Sequence, residues 1–338
     1  MIVTVTLNPT LHVGYQAERV GLGQANEVGR VSYRAGGRGL AVARMLHTFG
    51  HEVVAAGLVG GASGEVIRTE LAQAGVATQF TRIAGESRRV LEVTDTRDGP
   101  VTSFREPAPY ITTEELGRLA ADYRSLLADA EAVVLCGSLP DGLPAETYGS
   151  LASYAADAGV PVVLSAGGTA LWHGASRGPA LVMPEPADHD FAELIDKGAG
   201  AVATRSGPAV VVITAGERWQ ASLAGRSPAG GDGTREQAAA GGEAAGGAAA
   251  GGAAAGGAAA GGAAAGGQEA SRSRDALVAG LVPGIALGWS WPDMLRHAVA
   301  LSAAVGPNGD VDLDAYEALV PEVGIEPREE RPKELTGE

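Results

Sequence analysis

The sequence predicts an α/β domain whose central sheet is mostly parallel and covered by helices on both faces. Three observations predict it. Short apolar, β-branched runs (IVTVTL, AVVLC, PVVL, VVVIT) alternate with amphipathic stretches of helical length along the 338 residues. Glycine or proline breaks follow several of those runs, as strand-to-helix turns require. Two other regions alternate in short polar and apolar pieces, a pattern for a small exposed sheet set apart from the core.

In order, Ile2–Leu7 reads as a buried strand stopped by Asn8-Pro9. His12–Arg34 carries short alternating pieces. Gly36, Gly37 and Gly39 open a helix whose Leu40, Ala43, Met45, Leu46 and Phe49 recur at helical spacing, and Gly50 ends it. Glu52–Gly57 is a strand and Gly64–Ala74 a helix. Residues 79–105 return to alternating segments. Thr112 stands three before Glu115, the spacing of a capping box, ahead of a helix over Glu115–Ala130. A strand at Ala132–Cys136, a helix over 144–158 and strands at 161–164 and 209–213 continue the alternation. Residues 227–270, dominated by an AAAGG repeat, lack core-forming side chains and read as a disordered surface insertion. Helices over Asp275–Gly288, Pro292–Ala304 and 312–320 follow, then a charged tail over 321–338.

Bulk composition narrows the function classes. A formal charge of −15 argues against nucleic acid or an anionic membrane as a partner. The single Cys136 excludes an intramolecular disulfide and any cysteine-rich metal site. The first residues lack a basic region and a long apolar stretch, and no window approaches a membrane span, so a cytoplasmic globular protein is expected.

In parallel sheets ligands gather at the carboxyl ends of strands, so the loops after Leu7, Cys136, Leu164 and Thr214 are candidate sites. The Gly36–Gly39 loop lets backbone amides approach a ligand, or serves a tight turn. Asp275, within SRSRDALVAG, is placed either as a helix N-cap or as a base for a substrate hydroxyl.

Six stretches carry a family resemblance: TVTLNPTLH, AGGRGLAVARMLHTFG, GLVGGASGE, IAGESRR, VVLCGSLPDGLPAETY and DALVAGLVPGIALG. Their order and intervals over residues 1–320 resemble the PfkB (ribokinase-like) carbohydrate kinases, most closely the branch of 1-phosphofructokinase and tagatose-6-phosphate kinase. The resemblance implies one three-layer α/β/α domain with a mostly parallel sheet and a small β-sheet lid from about 10–35 and 80–106. In relatives that lid often also forms a dimer contact. It implies transfer of a phosphoryl group from ATP, with Mg²⁺, to a hydroxyl of a sugar phosphate, with Asp275 as base.

Carried over residue by residue, the resemblance gives Asp275 the catalytic position, with Arg272 and Arg274 where the family has glycines. These arginines either grip phosphate in place of main-chain amides or are solvated. On the substrate side stand His12, Gly36, Gly37, Arg38, Gly39, Arg88 and Ser138. His12 replaces an aspartate and Ala41 an asparagine. Arg88 matches the arginine expected to hold the substrate phosphate, or lies with Arg89 on the exposed lid. Thr214 and Gly216 fall on the nucleotide loop. Glu185 and Asp188 offer oxygens to Mg²⁺, or form an exposed acidic loop. Two functions stay open: a sugar-phosphate kinase with an altered site, and a catalytically impaired relative that binds sugar phosphate or nucleotide as a regulator or partner subunit.

Overall fold

The computed structural model describes residues 1–97, 99, 101–185, 209–210, 219–222, 237–240, 261–306, 308–324 and 326–327. The first half runs β1 (Ile2–Thr6), β2 (Thr10–Ala17), β3 (Arg30–Gly36), α1 (Arg38–Thr48), β4 (Val53–Gly60), α2 (Gly61–Gln73), β5 (Ala77–Ile83), β6 (Arg89–Asp95), β7 (Val101–Arg105) and α3 (Thr113–Leu127). Then come β8 (Ala132–Cys136), α4 (Thr147–Asp157), β9 (Val162–Ser165), α5 (Gly168–Ala175), β10 (Leu181–Val182) and β11 (Ala209–Val210). The remainder is β12 (Trp219–Ser222), β13 (Gln237–Ala240), α6 (Gly261–Leu287), α7 (Trp291–Ala304), α8 (Leu313–Leu319), a 3₁₀ turn at Val320–Glu322 and β14 (Glu326–Pro327).

Among the described residues the main sheet has seven strands in the order β11-β10-β9-β8-β1-β4-β5, all paired in parallel. Side chains alternate across it. Ala132, Val134 and Cys136 of β8 join one core with α1, α2, α6 and α7, while Val133 and Leu135 join a second with α3, α4 and α5. That two-sided burial explains why the strands are apolar throughout. At the start of α3, Thr112 Oγ1 accepts from the Glu115 amide at 3.2 Å, and Glu115 Oε2 accepts from the Thr112 amide at 2.8 Å. The expected capping box forms.

The alternating segments build a separate four-stranded sheet, β3-β2-β6-β7. Its boundary differs from the expected 80–106: residues 80–83 belong to β5, which pairs with β4 at the edge of the main sheet. An edge strand with one half-solvated face reads like a lid strand in sequence. Register gives the small sheet two unlike faces. Arg34, His12, Val90 and Arg105 form one cross-strand row, and Tyr33, Val13, Leu91 and Phe104 the next, on the opposite face. Arg34 ties the sheet to the body through a hydrogen bond from Nη1 to the Asn308 carbonyl.

Three expectations are revised by the backbone. Parts of residues 227–270 carry regular backbone: β13 pairs with β12 and β14, and α6 begins at Gly261. An antiparallel ladder needs only backbone groups, and alanine favours helix enough to carry one through a few glycines. The charged tail likewise contributes β14. Asp275 is therefore inside a helix and is not its N-cap.

Close packing of β1 on β4 depends on Gly57, whose φ is +138° and whose place for a Cβ lies 1.9 Å from the Thr6 carbonyl oxygen. A Gly57→Ala variant should lose about 2 kcal/mol or more of stability, read as a lower urea midpoint.

Candidate active site

The carboxyl ends of β1, β8 and β9 converge on the first turn of α1. Gly37, at φ +133°, precedes that helix, and a Cβ there would lie 2.8 Å from Thr6 Cγ2. A Cβ on Gly39 would fall 2.4 Å from Thr6 Oγ1, and one on Gly36 2.2 Å from His12 Cδ2. These glycines let α1 and the His12 ring sit directly against β1 and β3. After β8, Gly137 turns at φ +95° with open space beside its Cα. The Tyr148 hydroxyl holds that turn, within reach of the carbonyls of Cys136 at 2.9 Å and Gly137 at 3.0 Å. Ser138 is exposed at the turn and accepts from Asn8 Nδ2 at 3.3 Å.

Arg38 projects from the start of α1 into the convergence. Its Nε donates to Asp275 Oδ1 at 2.9 Å and its Nη2 to Ser165 Oγ at 2.5 Å. Nη1 donates to the Ser165 carbonyl at 3.3 Å and to Glu185 Oε1 at 3.4 Å. The side chains of Arg38 and Asp275 are 14% and 6% exposed, so this ion pair is largely out of water. Burial pushes the Asp275 carboxyl from 3.8 up to about 6, opposed by the charge and hydrogen bond of Arg38 and by the charge of Arg274. Burial disfavours the Arg38 cation as well, but the facing carboxylate outweighs it and holds the guanidinium above its ordinary value.

The lid supplies the second cluster. Glu86 accepts from the amides of Ala62 at 3.1 Å and Ser63 at 2.6 Å, and Ser87 accepts from the Gly60 amide at 3.0 Å. These bonds fasten residues 86–87 to the N-terminus of α2 and thereby hold Arg88 at the entry to β6. Arg88 is half-buried, and its Nε is buried with no hydrogen-bond partner among the described residues. Such an orphan donor is one that a ligand oxygen would satisfy. Burial and the neighbouring Arg105 both lower its pKa. His12 is kept neutral by burial, with Arg34, Arg88 and Arg105 acting in the same sense and Glu92 against them. Arg89, in contrast, is exposed and paired with Glu106 at 2.6 Å.

Of the residues singled out in the sequence, Arg38, Asp275 and Glu185 come together directly. His12 packs on Gly36 and stands within the field of Arg88. Arg272 is half-buried and runs toward the Gly309 turn, with its Cδ 4.0 Å from the place of a Gly309 Cβ. Thr214, Gly216 and Asp188 lie outside the described residues. Ser165, Arg105 and Arg34 were not identified from sequence. Only their positions at or near strand ends or on the alternating face hinted at them.

Because its folded pKa is raised, Asp275 binds a proton more tightly in the native state, and stability falls as pH rises from about 4 to about 6. Above that window the loss is complete, on the order of 2 to 3 kcal/mol. Urea unfolding across this range should show the slope in the wild type and not in Asp275→Asn.

The chain matches the pfkB family carbohydrate kinases over residues 10–271. Its fold is that of solved structures at 20–22% identity. A protein described provisionally as a phosphofructokinase from Staphylococcus aureus superposes with a TM-score of 0.74 at 22% identity, covering 96% of this chain and 98% of that one. A possible 1-phosphofructokinase from Thermotoga maritima gives 0.73 at 21%, covering 97% and 100%. Phosphofructokinase-2 from Escherichia coli, in complex with fructose-6-phosphate, gives 0.70 at 20%, covering 95% and 98%. The three-layer α/β/α architecture with its small β-sheet is the ribokinase-like fold, and with most of its length matched the chain belongs to the pfkB family of carbohydrate kinases.

Proposed function

We propose that this chain is an ATP-dependent kinase that phosphorylates a hydroxyl of a sugar phosphate, of the 1-phosphofructokinase or tagatose-6-phosphate kinase type. The observation that carries the reading is the buried Asp275, raised to about 6 yet ionised at neutral pH beside Arg38, at the carboxyl edge of a parallel sheet. A carboxylate so poised accepts the proton of the acceptor hydroxyl as its oxygen bonds to the γ-phosphorus of ATP and the bond from that phosphorus to the bridging oxygen breaks, releasing ADP. Arg88, with its buried unpaired Nε and Arg105 beside it, holds the phosphate the substrate already carries. His12 orients a sugar hydroxyl through a neutral imidazole.

The residues present fit a nucleotide and its magnesium ion. Gly137 and Gly168 both have open space beside them at strand ends, leaving room for a ligand to approach the backbone. Among the described residues no group of three acidic or histidine side chains forms a metal cage. Magnesium carried on phosphates needs only one or two carboxylates, and Glu185, 40% exposed, would supply one. When bound, the ion would neutralise charge developing on the phosphates.

One observation favours a second reading, a catalytically impaired relative that binds sugar phosphate or nucleotide as a regulator or partner subunit. Asp275 lies within α6, so the amides before it are available to helix bonding rather than to a phosphoryl group. Arg272 and Arg274 would then have to stabilise the transferring charge. We also propose that two copies associate through the lid. Tyr33 and Phe104, each 57% exposed, flank a cleft of about 490 Å³ on its apolar face.

With MgATP, the protein should phosphorylate fructose 1-phosphate, fructose 6-phosphate or tagatose 6-phosphate in a coupled ADP-release assay. Asp275→Asn should lower kcat on the order of 100-fold or more. Arg88→Ala should chiefly raise KM for the sugar phosphate. Thermal stabilisation by these ligands with no turnover would select the second reading, and activity surviving in Asp275→Asn would remove Asp275 from its role.

A further inference from the structure

We infer that Arg38 is a positioning residue, fixing Asp275 and Glu185 in one frame, and is not a ligand of the sugar or its phosphate. The inference rests on the kinase reading for its catalytic meaning, though its geometry stands independently. All three guanidinium nitrogens of Arg38 are engaged by protein oxygens, at 2.9 Å to Asp275, 2.5 and 3.3 Å to Ser165, and 3.4 Å to Glu185. An arginine that grips a phosphate presents a free pair of N–H groups, and this one has turned its fork inward.

The anchor at the other end is equally constrained. Gly37 and Gly39 on either side of Arg38 pack so closely on Thr6 that the start of α1 has little room to shift. Arg38 therefore links four pieces of chain: α1, the end of β9 at Ser165, the segment after β10 at Glu185, and α6 at Asp275. The rigid planar guanidinium sets the separation between the base and the acidic residue on the nucleotide side. Among the described residues, charge reaches Asp275 from Arg38, Arg274 and Glu185, and the buried Cys136 thiol lies in the same field. Burial raises the pKa of the Asp275 carboxyl, and Arg38 is the hydrogen-bonded cation that opposes the rise.

The test uses the full chain with Arg38→Lys, Arg38→Met and, for assignment, Asp275→Asn. Carboxyl carbon NMR follows the Asp275 titration without any need for turnover. Arg38→Met should raise that titration by about one pH unit or more, whereas Arg38→Lys should leave it near the wild-type value. In turnover, both variants should lower kcat by about tenfold or more, while KM for the sugar phosphate changes by less than about twofold. In Arg38→Met the acid limb of the kcat profile should also move to higher pH. Lysine keeps the charge but cannot hold Asp275, Ser165 and Glu185 together, hence the split between titration and rate.

An unshifted titration in Arg38→Met, with only a lower melting temperature, would reduce Arg38 to a packing role and overturn the inference. A large rise in KM with kcat intact would overturn it in favour of a substrate ligand. If Arg38→Met does not fold, Arg38→Gln carries the same titration test. If the wild type phosphorylates no sugar phosphate, the kinase reading fails, while the Asp275 titration still decides the role of Arg38.

Discussion

The buried pair of Arg38 and Asp275 is the interaction on which the rest of the site depends. Its members are 237 residues apart in sequence, and both are nearly removed from water. Such a pair contributes little net stability, because desolvation offsets most of the attraction, yet removing one partner costs on the order of 3–5 kcal/mol. Its value here is specificity of arrangement. The sheet, α1 and α6 must meet in one register for the guanidinium to reach Asp275, Ser165 and Glu185 together.

The small sheet shows how one strand pattern serves two purposes. Because side chains alternate, the row Arg34–His12–Val90–Arg105 and the row Tyr33–Val13–Leu91–Phe104 occupy opposite faces. The first carries Arg34 and Arg105 beside a His12 whose pKa burial lowers; the second is apolar and partly exposed. A one-residue slip in pairing would exchange the two, so one register sets what each face can meet.

The site departs from a backbone-built anion hole. With α6 running through Asp275, positive charge near its carboxylate comes from Arg38 and Arg274. Arg38 is already bound to protein oxygens, so under the proposed kinase reading stabilisation of the transferring charge would fall to Arg272 and Arg274. Side-chain donors must be ordered before they help, whereas main-chain amides come pre-ordered. Under that proposal the geometry that sets a buried carboxylate beside Arg38 would also slow the transfer, and the two proposed readings differ in how far that slowing goes.

By itself the sequence determined what depends on local pattern and spacing. The apolar runs of β1, β8 and β9, the amphipathic helices and the Thr112–Glu115 capping box follow from residue type and periodicity over a few positions. Asp275 and Arg38 were singled out from their motifs. Only the tertiary structure decided that β5 joins the main sheet, since a solvent-facing edge strand and a lid strand share one alternating pattern. Only it decided that α6 starts at Gly261, because a low-complexity tract carries no side chains to announce a boundary. And only it decided that Arg38 faces Asp275, Ser165 and Glu185, since an ion pair between distant segments leaves no mark in local sequence. Spacing along a chain encodes local geometry; which distant charges meet in a dry interior is set by packing alone.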